Sequence, residues 1–134
     1  MVRMTVLALA GLMSFSQKYT GDDLWYLSRV IQSESGYCSR EMQEAVGSVV
    51  LNRVEDERFP DSIPEVIEQP GQYSTVSSLA SNEPTPEALA VAVDLLENGS
   101  KLPEDILYQA NFPQGTYTYK TISTSYSTMY FCGG

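Results

Sequence analysis

The pattern of apolar residues in this chain changes at Gly99. Before Gly99, apolar residues recur with the 3.6-residue period of helices. After it come short segments rich in Tyr, Thr and Ile, separated by turn residues, which is typical of strands. Helices first and strands last predict an α+β domain with a helical core and a small C-terminal β region. At 134 residues the chain has room for one such domain and not for two of ordinary size.

Capping residues, Gly and Pro predict where the elements begin and end. Ser, Thr or acidic residues stand at each predicted helix start, and Gly stands after the first and last helices. The predicted helices cover residues 20–34, 39–56, 62–68 and 85–98. The predicted β segments cover residues 106–112, 116–123 and 128–132.

One carboxylate lies on the apolar face of the first predicted helix. At 100° per residue, Glu34 falls between Leu27 and Val30 in the apolar stripe. A carboxylate there must find a partner, line a cleft, or be neutral with a raised pKa. Raised-pKa carboxyls in clefts are typical of general acids. Periodicity alone fits two hypotheses equally, a general acid and a buried carboxylate paired with Arg29 or Arg53.

The chain contains no histidine, which removes most other catalytic machinery. Ser-His-Asp and Cys-His nucleophile systems are excluded, as is the usual histidine-containing zinc site. Two cysteines are too few for a Cys₄ site, and no Gly-rich phosphate loop is present, so we predict neither a metal nor a cofactor. A net charge of −9 without a basic cluster argues against nucleic acid and anionic membrane surfaces as partners.

Residues 1–20 resemble an export signal. Arg3 precedes an apolar run at residues 6–13, and Ser14 and Ser16 supply small residues for a cleavage site. The run is too short to span a bilayer, so we predict no stable membrane insertion. The sequence therefore predicts an exported protein whose folded domain covers residues 21–134. An N-terminal extension or a misassigned start is the alternative.

Cys38 and Cys132 fit two hypotheses. A disulfide between them would suit an exported chain, and closing so long a loop would add roughly 4 kcal/mol of stability. Two separate buried thiols also fit the sequence.

Five blocks of this sequence, in order, resemble the SleB/CwlJ-type cell-wall hydrolase domain of spore cortex-lytic enzymes. LSRVIQSESG at residues 27–36 is similar to the family's L-x-x-x-I-x-x-E-A-x-G opening, and VGSVVLNRV at 46–54 to its VxxVxLNRV helix. The others are FPDSI at 59–63 with QPGQYS at 69–74, TPEA at 85–88 with NG at 98–99, and YFC at 130–132. The resemblance spans about residues 23–132, nearly the whole chain. Two positions depart from the pattern, namely Ser35 where alanine is usual and Met129 where the family often has His.

The resemblance implies a fold related to lysozyme-like lytic transglycosylases and activity on peptidoglycan glycan strands. It aligns the family's catalytic glutamate with Glu34, as general acid/base at the β-1,4 bond between N-acetylmuramic acid and N-acetylglucosamine. Hydrolysis to a reducing end is the alternative outcome. Amides that bond to sugar hydroxyl and acetamido groups, and aromatic rings that stack on sugars, give the predicted substrate-binding residues. These are Gln69, Gln72, Tyr73 and Ser74, with Tyr108, Gln109 and Asn111 on the opposite wall.

Two rival functions remain on sequence grounds. A non-catalytic peptidoglycan-binding or structural protein could keep the same fold, and Met129 leaves room for that reading. A peptidoglycan amidase is less well supported, because the zinc and cysteine-histidine forms of that chemistry need histidine. Since the acidic chain would be repelled by an anionic wall, a cationic tethering or regulatory protein is a further expected partner.

Overall fold

The structure, a computed structural model, describes residues 19–73 and 76–134. Its helices are α1 (Gly21–Ser35), α2 (Arg40–Glu55), α3 (Ile63–Glu68) and α4 (Pro86–Asn98). The strands that follow are β1 (Ile106–Ala110), β2 (Tyr117–Ser123) and β3 (Thr128–Gly133). This order confirms the predicted α+β class, with helices first and the sheet last. Most of the predicted export signal, and Ser74 of the predicted site, lie outside the described residues.

Side-chain caps begin the helices where the sequence predicted them. At α1, the Asp23 N–H donates to Thr20 Oγ1 over 3.1 Å, and the Thr20 N–H donates to Asp23 Oδ2 over 3.0 Å. This reciprocal pair satisfies two N–H groups that the helix itself cannot bond. The same kind of cap, a hydroxyl accepting from the third residue of the helix, begins the other three helices at Ser39, Ser62 and Thr85.

Replacing Ser39 with alanine should lower the free energy of unfolding by about 1 kcal/mol. Ser39 Oγ accepts the Met42 N–H over 3.1 Å, and alanine leaves that N–H without a protein acceptor. Urea denaturation measures the change. Ser39→Asp keeps an acceptor oxygen and should match the wild type closely. Equal midpoints for Ser39→Ala and the wild type would show that this cap contributes nothing to stability.

Helices α1, α2 and α4 pack against one another around a single apolar core. Gly47 on α2 allows the close approach, because a Cβ there would lie 2.9 Å from Ile31 Cδ1 and closer still to Leu95 Cδ1. Leu27 and Val46 are also completely buried in this core. The helical layer is therefore built around a position where any side chain larger than hydrogen would force its neighbours to move.

The sheet is antiparallel, with strand order β1-β3-β2. Its core-facing side includes Phe131 of β3, which is fully buried and packs in the helical core. Asn52 of α2 ties the start of the sheet to the helices, because its Nδ2 donates to Pro103 O over 2.8 Å and to Ile106 O over 3.0 Å. Helix α2 thus fixes the position of β1 through backbone carbonyls.

Two local features differ from the sequence prediction. The first β segment was predicted to reach residue 112, but β1 ends at Ala110. The chain turns directly afterwards, and Gly115 in this loop adopts a φ of 65°, which favours glycine. A 3₁₀ helix at Val76–Ser81, between α3 and α4, was not predicted. Its sequence, VSSLAS, lacks a long apolar period that would indicate a helix.

Both cysteines are free thiols in the structure, which agrees with the hypothesis of two separate thiols and not with a Cys38–Cys132 disulfide. Cys132 pairs in register with Tyr108 and Thr118, so it lies on the opposite side of the sheet from its neighbour Phe131. Cys38 instead follows α1 and packs against the helical core. The sheet therefore separates the two thiols. The Cys132 Sγ accepts the Gln114 N–H over 3.4 Å, which gives the buried thiol a structural contact.

Candidate active site

Glu34 lies in the last turn of α1, half-buried, at the junction of two cavities. The sheet-side cavity, of about 380 Å³, is bounded by Glu34, Arg53, the loop at residues 71–73, β1 and Met129 of β3. The helix-side cavity, of about 460 Å³, is bounded by residues 32–38 and 81–83. Glu34 therefore contributes to the walls of two spaces that could each hold part of an extended ligand.

Four of the predicted substrate-binding residues meet Glu34 in the sheet-side cavity. They are Gln72, Tyr73, Tyr108 and Gln109. The loop after α3 supplies the first two, and β1 supplies the last two. Residues from three separate parts of the chain therefore converge on one cavity.

The remaining predicted residues lie elsewhere. Gln69 follows α3 directly and does not line the sheet-side cavity. Asn111 is exposed beyond the end of β1 and is also outside the lining. Gln69 precedes the part of the loop that lines the cavity, and Asn111 follows the end of β1 at Ala110.

Arg53 is the central structural residue of the sheet-side cavity. Only 5% of it is exposed, and its Nε donates to Leu107 O over 2.7 Å while its Nη1 donates to Gln72 Oε1 over 2.8 Å. The guanidinium also lies over the Phe59 ring, 5.0 Å from the centroid. One side chain of α2 therefore holds both the strand and the loop that form the cavity walls.

The two arginines considered as ion-pair partners for Glu34 each have other acceptors. Arg53 donates to a carbonyl and an amide oxygen, as described above. Arg29 forms an ion pair with Glu83 over 2.8 Å, and its guanidinium lies 4.6 Å from the Trp25 ring centroid. Glu34 itself lines the walls of both cavities.

Tyr73 contributes a buried hydroxyl to the sheet-side cavity. The residue is only 4% exposed, and its hydroxyl oxygen has no hydrogen-bond partner. Burial raises the pKa of Tyr73 to about 12, with Arg53 lowering that pKa and Glu34 raising it by smaller amounts. The phenol is therefore a neutral hydrogen-bond donor throughout the physiological pH range, close to the charges of Arg53 and Glu34.

Sequence reasoning missed Gln114 and Met129 as cavity-lining residues. Gln114 lies in the loop after β1, and no periodic signal marks it. Met129 lies on β3, where Phe131 pairs with Gln109, so Met129 is a diagonal neighbour of Gln109 on the same face of the sheet. The sequence showed Met129 only as a departure from the family pattern, and the strand register was needed to place it.

The charged groups of the cavities are few. Among the described residues that line either cavity, the only carboxylate besides Glu34 is Glu83, which pairs with Arg29.

In the part of the chain that the structure describes, no group of three His, Cys, Asp or Glu side chains could hold a metal ion. Within the same residues, no helix is long and apolar enough to cross a membrane.

Comparisons with known proteins give two independent likenesses. The family model described as Cell Wall Hydrolase matches residues 38–132. The structure is similar to the catalytic domain of the germination-specific lytic transglycosylase SleB from Bacillus anthracis, with a TM-score of 0.65, 22% identity, and coverage of 85% of this chain and 97% of that one. The catalytic domain of the Bacillus cereus SleB protein gives a TM-score of 0.65, 21% identity, and coverage of 85% and 92%. No curated protein sequence gives a significant match.

Proposed function

Because this chain belongs to the cell wall hydrolase family, whose members degrade peptidoglycan, we propose that it cleaves glycan strands as a lytic transglycosylase. The bond cleaved is the β-1,4 link between N-acetylmuramic acid and N-acetylglucosamine, and Glu34 is the general acid/base. The matched residues begin after Glu34, so the role of Glu34 rests on its geometry and on the resemblance of residues 27–36.

The observation that carries this proposal is the position of Glu34 between the two cavities. A glycan strand cleaved in its interior must have sugars on both sides of the acid that protonates the scissile bond. A carboxylate at the junction of two spaces meets that requirement. A carboxylate sealed in the core would not, because the acid must come within hydrogen-bond distance of the glycosidic oxygen.

In the proposed reaction, Glu34 acts first as an acid and then as a base. Its proton passes to the glycosidic oxygen as the bond from that oxygen to C1 of muramic acid breaks. The ionised Glu34 then takes the proton from the muramic 6-hydroxyl, whose oxygen bonds to C1. This step forms a 1,6-anhydro ring and restores the protonated carboxyl, so no water is consumed.

The small number of carboxylates favours a transglycosylase over a two-carboxylate hydrolase. Glycosidases of the usual kind use a second acidic residue as nucleophile or base. Among the described lining residues the only other carboxylate is Glu83, whose side chain is largely exposed and pairs with Arg29 over 2.8 Å. In the proposed route the substrate's own N-acetyl group stabilises the positive charge that develops at C1. One catalytic carboxylate is then sufficient.

The proposed substrate contacts in the sheet-side cavity are Gln72, Tyr73, Tyr108 and Gln109. Their amides and hydroxyls match the hydroxyl and acetamido groups of the glycan. Gln69 and Asn111 lie outside the lining, so we do not include them.

Because its substrate is the cell wall, the working enzyme acts outside the cell or at the spore cortex. We further propose that residues 1–20 direct its export and that a tethering protein binds it.

Purified protein should release muropeptides with 1,6-anhydro ends from peptidoglycan sacculi. The reason is that the muramic 6-hydroxyl, held on the substrate itself, replaces water as the attacking group. Liquid chromatography with mass spectrometry identifies these ends, which resist borohydride reduction. Products with reducible muramic ends would contradict the transglycosylase and indicate a hydrolase. Running spore cortex and vegetative wall in parallel identifies the preferred substrate.

A further inference from the structure

One residue of the helix-side cavity carries an almost fully exposed aromatic ring. Tyr37 lines this cavity together with Glu34, and 95% of the residue is exposed to solvent. Within residues 19–73 and 76–134, the Tyr37 side chain makes no hydrogen bond and no ring contact. Covering an aromatic ring with another apolar surface is favourable, because it removes that surface from water. Tyr37 therefore offers a ligand in this cavity a free aromatic surface.

The backbone on both sides of Tyr37 is hydrogen-bonded to the end of α1. The Gly36 N–H donates to Gln32 O over 2.9 Å, and the Cys38 N–H donates to Ser35 O over 2.9 Å. The ring is exposed, but the chain that carries it is ordered. An ordered backbone lowers the conformational entropy that a bound ligand must offset.

The opposite wall of the cavity is tied to the same helix. Gln32 Oε1 accepts the Thr85 N–H over 2.9 Å, directly after the wall at residues 81–83. Arg29 holds this wall through its ion pair with Glu83. The space of about 460 Å³ between the two walls is therefore preformed, and it has the size of a small-ligand site.

Apart from Tyr37, the lining is mainly polar. Its amide, hydroxyl and carboxyl side chains are those of Gln32, Ser33, Glu34, Ser35, Ser81, Asn82 and Glu83. The other described lining residues are Gly36 and Cys38, which are small. Tyr37 is thus the one described lining residue with a large apolar surface. The ligand that fits has polar groups around its edge and one apolar face.

A sugar ring has this combination, since its hydroxyls project from the edge while C–H groups form the face. An apolar peptide side chain would leave the amides and hydroxyls of the lining without hydrogen bonds. A nucleotide could stack on Tyr37, but its phosphates would be repelled by a chain of net charge −9. The chemistry of the cavity therefore favours a neutral sugar.

We propose that Tyr37 is a substrate-binding residue whose ring stacks on the sugar that occupies the helix-side cavity. This inference rests on the proposed function, because it takes a peptidoglycan glycan strand as the ligand. It gives the two cavities different tasks. In the sheet-side cavity Tyr73 is only 4% exposed, so contacts there are mainly hydrogen bonds, whereas the helix-side cavity offers an open ring.

The test is a binding measurement in a Glu34→Gln background, so that turnover does not interfere. The probe is a preparation of peptide-free N-acetylated glycan strands, titrated by calorimetry. Adding Tyr37→Ser should raise the Kd about tenfold, because the stacked ring is lost. Adding Tyr37→Phe should leave the Kd nearly unchanged, because phenylalanine keeps the ring face and loses only the hydroxyl. In the otherwise unaltered enzyme, Tyr37→Ser should raise KM and leave kcat nearly unchanged, as expected for uniform binding.

Tyr126→Ser is the matched control. Tyr126 is 97% exposed, lies in the turn between β2 and β3, and lines neither cavity. Its replacement should leave Kd and KM unaltered. The thermal midpoint of Tyr37→Ser should match that of the parent, because so exposed a side chain adds little to stability.

Three results would overturn the inference. They are an unchanged Kd for Tyr37→Ser, an equal weakening by Tyr126→Ser, and an equal weakening by Tyr37→Phe, which would assign the contact to the hydroxyl. Binding that depends on the Tyr37 ring, in a protein whose wild type releases no muropeptides, would instead overturn the proposed function alone.

Discussion

Glu34→Gln should abolish lysis, with kcat for peptidoglycan falling by at least about 1,000-fold. Glutamine keeps the size and polarity of the side chain but has no proton to give to the glycosidic oxygen. It also cannot take the proton from the muramic 6-hydroxyl, so both steps assigned to Glu34 fail together. Release of 1,6-anhydro muropeptides, followed over time at saturating substrate, measures the loss.

Glu44→Gln is the matched control for this prediction. Glu44 forms a surface ion pair with Arg40 on α2, over 3.1 Å, and lines neither cavity. The same chemical change there should leave kcat unaltered. Binding of Glu34→Gln to sacculi, measured by co-sedimentation, should persist, because the substrate contacts remain. Lysis by Glu34→Gln at the wild-type rate would refute the assignment, and a wild type that binds without lysis would favour the non-catalytic alternative.

Arg53→Met should lower the free energy of unfolding by about 3 kcal/mol. Methionine fills similar space but cannot donate to Leu107 O or Gln72 Oε1, and the buried carbonyl of β1 then lacks its donor. Urea denaturation measures the loss. The value of kcat/KM should fall as well, because Gln72 is no longer held against the cavity.

Arg58→Met serves as the comparison for Arg53→Met. Arg58 is largely exposed and pairs with Asp56 at the surface, where such pairs contribute less than about 1 kcal/mol. Its replacement should therefore change stability little. A loss for Arg53→Met no larger than that for Arg58→Met would show that the buried guanidinium does not hold the cavity walls together.

Local chemistry made the helices predictable from sequence. Each helix start depends on a hydroxyl and an N–H three residues apart, and Gly99 ends α4 with a φ of 92°. Such contacts involve neighbouring residues, so the sequence contains all the information needed. The order of helices before strands was also predictable from a local signal, because the period of the apolar residues changes at Gly99.

The cavity was predictable only in part, because its contacts join distant parts of the chain. Periodicity located Glu34, and the family resemblance suggested Gln72 and Tyr73. The residue types on the first β segment suggested Tyr108 and Gln109. No short-range sequence pattern indicated that Arg53 would donate hydrogen bonds to the Gln72 side chain and the Leu107 carbonyl. The roles of Gln114 and Met129 depend on strand register and loop path, which short-range patterns do not specify.

The sequence left the state of the two cysteines open for the same reason. Two cysteines far apart in sequence can be joined only if the fold brings them together. Cys38 packs with the helices and Cys132 lies on the other face of the sheet, and the side that a strand residue faces changes with a one-residue shift in register. Counting cysteines could not determine that side.

The strand order has a consequence for how the enzyme is made. Both β1 and β2 pair only with β3, which is the last strand of the chain and the middle one of the sheet. During synthesis the helices can pack as soon as α4 has emerged, but β1 has no partner until residues 128–133 follow. A nascent chain therefore carries Glu34 on a formed helix while one wall of the glycan groove is still missing. Under the proposed function, lytic capacity therefore depends on the synthesis of β3.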